Sequence, residues 1–412
     1  MKRAGRAPAE SPRAVAGATQ RNIRGMQMER LGKSFLDYFK RADKLLWLVM
    51  LAISAYSLLL LRTVPSPAGK RSYFVTQLMA IAIGYVGAWF LTLIDYRDMA
   101  NLWYLIAGFC IFLLIYTHFF GIAVQNSGGI NARAWISIPG LGTFQPSELV
   151  KIGFILTFAK HLSVLKERGL LAHPLQVVLL GVHALIPVVV MFQLQGDAGS
   201  AAIFFCMFLA MSFGAGVQLR YFAGLLAAMG AMFPLVWKYL LNDYQKDRFT
   251  IFLHPESDPT GKGLQQLQGK ISIGSGQLWG RGLFSPDSRV QKGSVPVQQS
   301  DYIFSVAGEQ LGFVGCMLII VLLLLLLVRT IHVARHATEP LGSCICFGFF
   351  GMIASQMAFN LGMCLNLFPV MGVTLPFFSA GGSSAACLYF GFGLVECVAM
   401  HKINMDIVKI HP

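Results

Sequence analysis

The sequence predicts an all-α polytopic membrane protein of about ten transmembrane helices, with a long extracytoplasmic loop between the seventh and the eighth. Three observations predict it: the composition, the length of the apolar runs, and the side on which the basic residues fall. Apolar residues make up 55% of the 412 and charged residues 13%, about half the charged share of a soluble domain. Such a chain cannot hide its apolar area in one water-soluble core. Lys and Arg number 33 against 19 Asp and Glu. The excess lies mostly in connections that a membrane protein keeps in the cytoplasm, so it marks orientation rather than nucleic-acid binding. All eight cysteines fall in apolar runs, with no Cys-x-x-Cys spacing, and read as small packing residues.

Residues 1–26 are rich in Ala, Arg, Gly and Pro and lack the apolar core of a secretory signal, so a disordered cytoplasmic tail is expected. Leu31, Phe35, Leu36 and Phe39 then recur at helical spacing among Arg30, Lys33, Lys40, Arg41 and Lys44. That pattern suits a helix lying in the headgroup layer, or a plain extension of the first span. The chain thus divides into a basic tail, 1–44, and a transmembrane domain, 45–412.

Runs that reach or approach bilayer length lie at about 45–61, 73–94, 102–119, 148–165, 175–194, 199–213, 221–241, 303–328, 343–367 and 382–399. Two of them, 148–165 and 199–213, are short or interrupted. They are expected to be tilted, broken or partly sunk in protein. With the amino terminus inside, the tail and the connections carrying Arg97, Lys160, Lys166, Arg168, Arg220, Arg329, Arg335, Lys402 and Lys409 hold most of the basic residues. The short outer connections hold only Arg62, Lys70, Arg71 and Arg133. An even number of spans puts both termini in the cytoplasm. The one long connection, 242–302, falls outside, and loops of that length are usually functional or disordered. Leu264, Leu267 and Ile271 are spaced for a helix within it, followed by Gly274, Gly276, Gly280 and Gly282 around Trp279.

Ionisable groups near a span are functional candidates, because lipid makes them costly. Arg133 and Trp135 lie in the outer connection after the third span. Gln145-Pro146-Ser147-Glu148 opens the fourth, with Lys151 a turn beyond Glu148 on the same face; a helix cap with an ordinary ion pair is the structural alternative. Asp197 sits in the tight turn Gln195–Gly199, where turn chemistry alone could also explain it. Asp301 closes the long loop at the mouth of the eighth span, and Glu309 lies two turns inside. The outer connection 369–384 ends in Gly381-Gly382-Ser383-Ser384, where hydroxyls and free amides at a helix start suit phosphate, or a packed re-entrant turn. His183 and Glu396 read as interhelical or interfacial polar groups. The functional candidates come from five separate places yet share the outer side of one topology. A cavity of carboxylates, an Arg, a Lys and hydroxyls there suits an amphiphile with a phosphate-bearing head group.

At these residues the chain resembles the SEDS proteins (RodA, FtsW and SpoVE), the bacterial cell-wall polymerases. The resemblance runs from the first span onward. It is carried by Phe144–Glu148 with Lys151, by Ile273–Gly276 and Gly280–Leu283, by Ser300–Phe304 with Glu309 and Leu311–Phe313, and by Leu375–Ser379 with Gly381–Ser384. The pattern departs from the family's at Ala134, Gly196, Val297–Gln299 and Ala380. The resemblance implies a peptidoglycan glycosyltransferase of the bacterial plasma membrane, serving cell shape, division or sporulation. It would polymerise undecaprenyl-linked lipid II on the outer face, with a class B penicillin-binding protein as partner.

In that reaction the 4-hydroxyl of an acceptor sugar attacks the anomeric carbon of a donor, and undecaprenyl pyrophosphate leaves with inversion. A carboxylate must take the hydroxyl proton and positive charge must stabilise the leaving group. Asp301 is the expected base. Arg133 and Lys151 are the expected phosphate partners with Glu148 orienting Lys151, and Asp197, Glu309, Ser383 and Ser384 complete the substrate site. A divalent cation on Asp197 or Asp301 stays open. Two other readings remain: a lipid II flippase, whose path should reach the midplane and both faces, and a non-catalytic scaffold, for which the carboxylates would be dispensable.

Overall fold

In the computed structural model the chain is described at residues 40–66, 69, 71–125, 131–138, 142–241, 243–258 and 260–410. The expectations for the tail, for the helix around Leu31–Phe39 and for Lys70 lie outside the described residues. Residues 1–44 form one unit and Leu45–Pro412 the other.

Thirteen helices follow one another in the described chain: α1 Lys44–Thr63, α2 Tyr73–Thr92, α3 Tyr96–Asn101, α4 Trp103–Phe120, α5 Pro146–Glu167, α6 Pro174–Val189, α7 Ala198–Ala215, α8 Leu219–Leu235, α9 Asp243–Leu253, α10 Lys262–Ser275, α11 Ile303–Arg335, α12 Pro340–Cys364 and α13 Gly382–Ile410. Among the described residues, nine helices are long and apolar enough to cross a membrane. The remaining expected span is α5, 22 residues long. Five charged residues, Glu148, Lys151, Lys160, Lys166 and Glu167, make it less apolar than the others. It tolerates them because most of it faces protein, as the expectation of a sunken element required. The other short run, α7, is an unbroken helix of 18 residues.

The irregular spans lie elsewhere. α6 and α8 each carry an internal proline, Pro187 and Pro234, and each ends in a wider π turn, Val190–Leu194 and Val236–Leu240. A proline removes one helical hydrogen bond and forces the turn behind it to open. α11 is two helices joined at Gly312, whose φ is +66°. Across that break the long loop supplies the missing partners. The amides of Phe313 and Val314 donate to the carbonyls of Gln277 and Leu278, at 2.8 and 3.3 Å. The amides of Arg281 and Gly282 donate to those of Glu309 and Gln310, at 2.8 and 3.1 Å. A Cβ on Gly312 would lie 2.4 Å from the amide nitrogen of Gly280, and one on Gly280 would lie 2.2 Å from the carbonyl oxygen of Gln310. Both positions therefore require glycine.

Packing is graded from inside outward. α13 packs along α2, and α12 packs along α7, α11 and α5. These contacts bury Phe349, Ile353, Tyr389 and Phe392 completely or nearly so. Leucines, valines and aromatics such as Val86, Phe112, Leu226 and Val328 point outward, as lipid-facing surfaces do. At one end of the bundle Arg97 pairs with Glu339 at 2.8 Å and with Asp95, which also reaches Nε2 of His401 at 3.4 Å. Those contacts clasp the α2–α3 and α11–α12 turns to α13.

Between α4 and α5, at the opposite end, the chain forms a three-stranded antiparallel sheet: β1 Ile122–Gln125, β2 Asn131–Ile138 and β3 Gly142–Phe144. An all-helical expectation missed it. The alternation of exposed Arg133 with buried Ala134 along β2 is the strand signal, but it is too short to stand out among spans. Within the long loop α10 forms where Leu264, Leu267 and Ile271 were spaced for it, and α9 was not foreseen.

Candidate functional site

The sheet end of the bundle gathers the residues that open α5, α7, α11 and α13. Asp197 is the N-cap of α7: its Oδ1 accepts from the Ser200 amide at 2.9 Å and its Oδ2 from the Ser200 hydroxyl at 2.7 Å. This cap satisfies amides that every helix start leaves bare. The carboxylate does more, because Oδ2 also accepts from Nε2 of Gln145 at 3.3 Å. The amide of Gln145 in turn donates to the Ser383 hydroxyl at 3.2 Å. One chain of contacts thus links Asp197 to the starts of α5 and α13. Ser384 is buried beside Gly381.

Glu148 and Lys151 form the expected pair, 2.9 Å apart across one turn of α5. Lys151 is completely enclosed and Glu148 nearly so. The pair therefore lies behind the mouth rather than in it, and Lys151 cannot touch a ligand there as the helix stands.

Asp301 is tied down mainly through its backbone and that of its neighbours. Asn360 on α12 donates through one Nδ2 to the carbonyl of Asp301 and to that of Val373, both at 2.8 Å. The Ala380 amide donates to Gln299 O at 2.8 Å, and the Ser379 hydroxyl donates to Ser300 O while accepting from the Leu375 amide. The 375–380 segment is held from behind as well, since Nε2 of Gln77 donates to Phe377 O and the Ser57 hydroxyl to Phe378 O. The Asp301 side chain keeps one short contact, the Ser300 hydroxyl donating to Oδ1 at 2.9 Å. Burial pushes its carboxyl up to about 6, and the Ser300 hydrogen bond opposes this in part. Oδ2 lies near Gly372, and the Asp197 turn meets the same segment from the other side, where Gly199 abuts Met371 and Val373. Residues 371–373 therefore run between the two aspartates.

Glu309 lies apart from that mouth. It is wholly buried and takes three donors from the long loop: Ser272 hydroxyl at 2.8 Å, Arg289 amide at 2.5 Å and Val290 amide at 3.2 Å. Its oxygens are occupied in holding α10 and residues 289–290 onto the first half of α11. Arg133 is exposed on β2 and donates to the Phe119 carbonyl at 2.8 Å. Among the described residues no three His, Cys, Asp or Glu side chains converge as a metal site; a cation between the aspartates would have to draw further ligands from a substrate. Of the isolated polar groups, His183 meets His161 across the α5–α6 interface, nitrogen to nitrogen at 3.2 Å.

Asn360, Gln77 and Ser57 escaped the sequence reading. The signal was present for Asn360, a buried amide one turn beyond Gln356 in an apolar span, since such a group must find partners.

A bundle of membrane-crossing helices with carboxylates, an amide clamp and helix-start hydroxyls converging at one end is a multi-pass membrane protein with a polar mouth at that end of the bundle. A family model described as "Cell cycle protein", that of FtsW, RodA and SpoVE, matches residues 42–404. The chain belongs to this family. It is 33% identical over 327 residues to the stage V sporulation protein E of Bacillus subtilis, covering 79% of this chain and 86% of that protein. It is 31% identical over 381 residues to the peptidoglycan glycosyltransferase MrdB of Escherichia coli K12, covering 90% and 96%. Among solved structures it is similar to a chain of a peptidoglycan synthase complex that coordinates polymerization and crosslinking, with a TM-score of 0.72 at 29% identity over 88% of this chain and 98% of that one. The rod shape determining protein RodA of Thermus thermophilus matches with a TM-score of 0.62 at 27% identity, covering 87% and 96%.

Proposed function

We infer that this chain has the activity its relatives are named for, peptidoglycan glycosyl transfer, and that it polymerises undecaprenyl-linked lipid II with Asp301 as general base. The observation that carries the base is a contrast among four carboxylates. Asp197 caps a helix, Glu148 is paired with Lys151, and Glu309 is saturated by the loop. Asp301, outside any ion pair or helix cap, combines a rigidly held backbone with an oxygen, Oδ2, that has no hydrogen bond among the described residues. A carboxyl raised to about 6 is also well matched to taking a proton near neutral pH.

In this reading the acceptor 4-hydroxyl gives its proton to Asp301 as its oxygen attacks the donor's anomeric carbon. The bond to pyrophosphate breaks on the opposite side. Ser383, at the start of α13, and exposed Arg133 face the phosphates, with buried Ser384 behind them. Enclosed Lys151, held by Glu148, contributes through its field rather than by contact. Asp197 holds the mouth in shape through Gln145, and Glu309 fixes the long loop. The mouth faces outward with both termini in the cytoplasm, and a class B penicillin-binding protein is the partner, in keeping with the synthase complex among the similar structures. The test is purified protein, alone and with its partner, incubated with lipid II and analysed for glycan chains. Polymer from wild type and about 10²–10⁴-fold less from Asp301→Asn is the expected result.

A further inference from the structure

At the end of the bundle away from this mouth, α6, α7 and α8 line a half-open groove of about 530 Å³, well within the size range of ligand sites. Val177, Leu180, Ala184, Phe205, Phe208 and Leu225 give it apolar walls. Its floor is smoothed by Gly181 on α6 and Gly224 on α8, where a Cβ would meet nothing within 4 Å. Among the described residues no side chain fills this volume, and no residue of α8 is buried. Polar groups in the lining are confined to Ser212, Arg220 and Tyr221. Ser212 is 2% exposed and its hydroxyl has no hydrogen-bond partner among the described residues. Arg220 is exposed and stacks over the Tyr221 ring at 5.0 Å. Its hydrogen bonds among the described residues are long ones, 3.4 Å to the Ala172 carbonyl and 3.3 Å to the Tyr221 hydroxyl. No carboxylate pairs with it among the described residues.

An apolar groove of this volume with an unpaired guanidinium and a free hydroxyl at one end has the polarity of a single lipid. We propose that the groove binds one anionic diacyl phospholipid from the leaflet at that end. One acyl chain lies between α6, α7 and α8, the Ser212 hydroxyl donates to an ester carbonyl, and Arg220 holds the phosphate. Charge complementarity selects the anionic head group, and the two glycines leave room for the chain.

The experiment uses the full chain purified in detergent and reads retained lipid by native mass spectrometry. Phosphatidylglycerol and phosphatidylcholine with the same acyl chains are added separately. Wild type should retain one phosphatidylglycerol in preference to phosphatidylcholine. Arg220→Gln should reduce that retention about fivefold, the effect of one basic side chain on an anionic head group. The double variant Gly181→Leu, Gly224→Leu should lose it while remaining monodisperse, since leucine favours helix and fills open space. Equal retention of the two lipids by wild type, or undiminished retention by the double variant, overturns the proposal. Wild type alone gives an independent reading with phosphatidylglycerol bearing a photoreactive group on its acyl chain. Crosslinks should map to residues 177–188 and 205–228; crosslinks only elsewhere, or labelling there only by a polyprenyl phosphate probe, overturn it too.

Discussion

The Asn360 carboxamide donates to the backbone carbonyl of Asp301 at 2.8 Å, and through the same nitrogen to the carbonyl of Val373 at 2.8 Å. A single buried side chain thereby joins the segment bearing Asp301 to the segment lying against its free Oδ2. Asn360→Asp keeps the shape but offers no donor when ionised. Each buried carbonyl left bare costs about 1–3 kcal/mol, and a second carboxylate nearby raises the Asp301 carboxyl further. Polymerisation should fall tenfold or more, and the acidic limb of its pH profile should move to higher pH. A normal rate with an unmoved profile in this variant removes Asn360 from the mechanism.

Asp301→Asn should fold and reach the membrane yet polymerise lipid II about 10²–10⁴-fold more slowly, the usual contribution of a positioned base. A cap role would leave Asn nearly silent. Here the N-cap of α11 is Tyr302, which makes no side-chain cap bond, so that explanation is already weakened. Near-normal glycan synthesis by this variant would move the search to Asp197.

The raised carboxyl of Asp301 gives two pH effects of opposite sense. As a base it works when deprotonated, so polymerisation should rise with pH through about 6. For stability the sign reverses. A carboxyl near 4 when unfolded and about 6 when folded costs nothing below pH 4, then progressively more until pH 6 and a constant amount above. Asp301→Asn should therefore melt higher than wild type at pH 8, with the gain absent at pH 4. A melting temperature that drops equally at both pH values contradicts this.

Glu148→Ala or Lys151→Ala alone leaves a buried charge unpaired, at about 3–5 kcal/mol. The double variant removes both charges and should be much less than additively worse, in thermal melts and in glycan yield. Additive losses would show that the 2.9 Å contact carries no coupling.

For orientation, a cysteine placed at Ser285 in the long loop should react with an impermeant reagent added outside intact cells. One at Thr338, in the α11–α12 turn, should not. The reverse pattern inverts the topology and with it the assignment of the mouth to the outer face.

The spans were legible because bilayer length and apolarity are written locally: nine of the ten runs are helices long and apolar enough to cross a membrane. α5 shows the limit: its five charges blur the apolar signal, and only its burial among neighbours explains why lipid does not exclude them. Asp197, Asp301 and Ser383 were legible as polar punctuation at span mouths. The partners that decide their roles were not, because Asn360 lies 59 residues from Asp301 and Ser383 lies 238 from Gln145. Glu309 illustrates the same gap: a carboxylate in a span suggested a ligand site, whereas the loop amides that occupy it come from backbone, which leaves no residue-type signature.

The junction at Gly312 partitions the long loop by its tolerance of length change. Surface loops ordinarily accept inserted or deleted residues, and residues 284–287 lie between the pinned strip and the next anchor at Arg289. From Gln277 to Gly282, however, the residue count is locked to that from Glu309 to Val314 by four backbone hydrogen bonds. One residue more or fewer there would put every later amide out of step with its carbonyl, and no choice of side chain could compensate. Among related chains, variation in loop length should accumulate outside this strip, leaving its spacing to Gly312 unchanged.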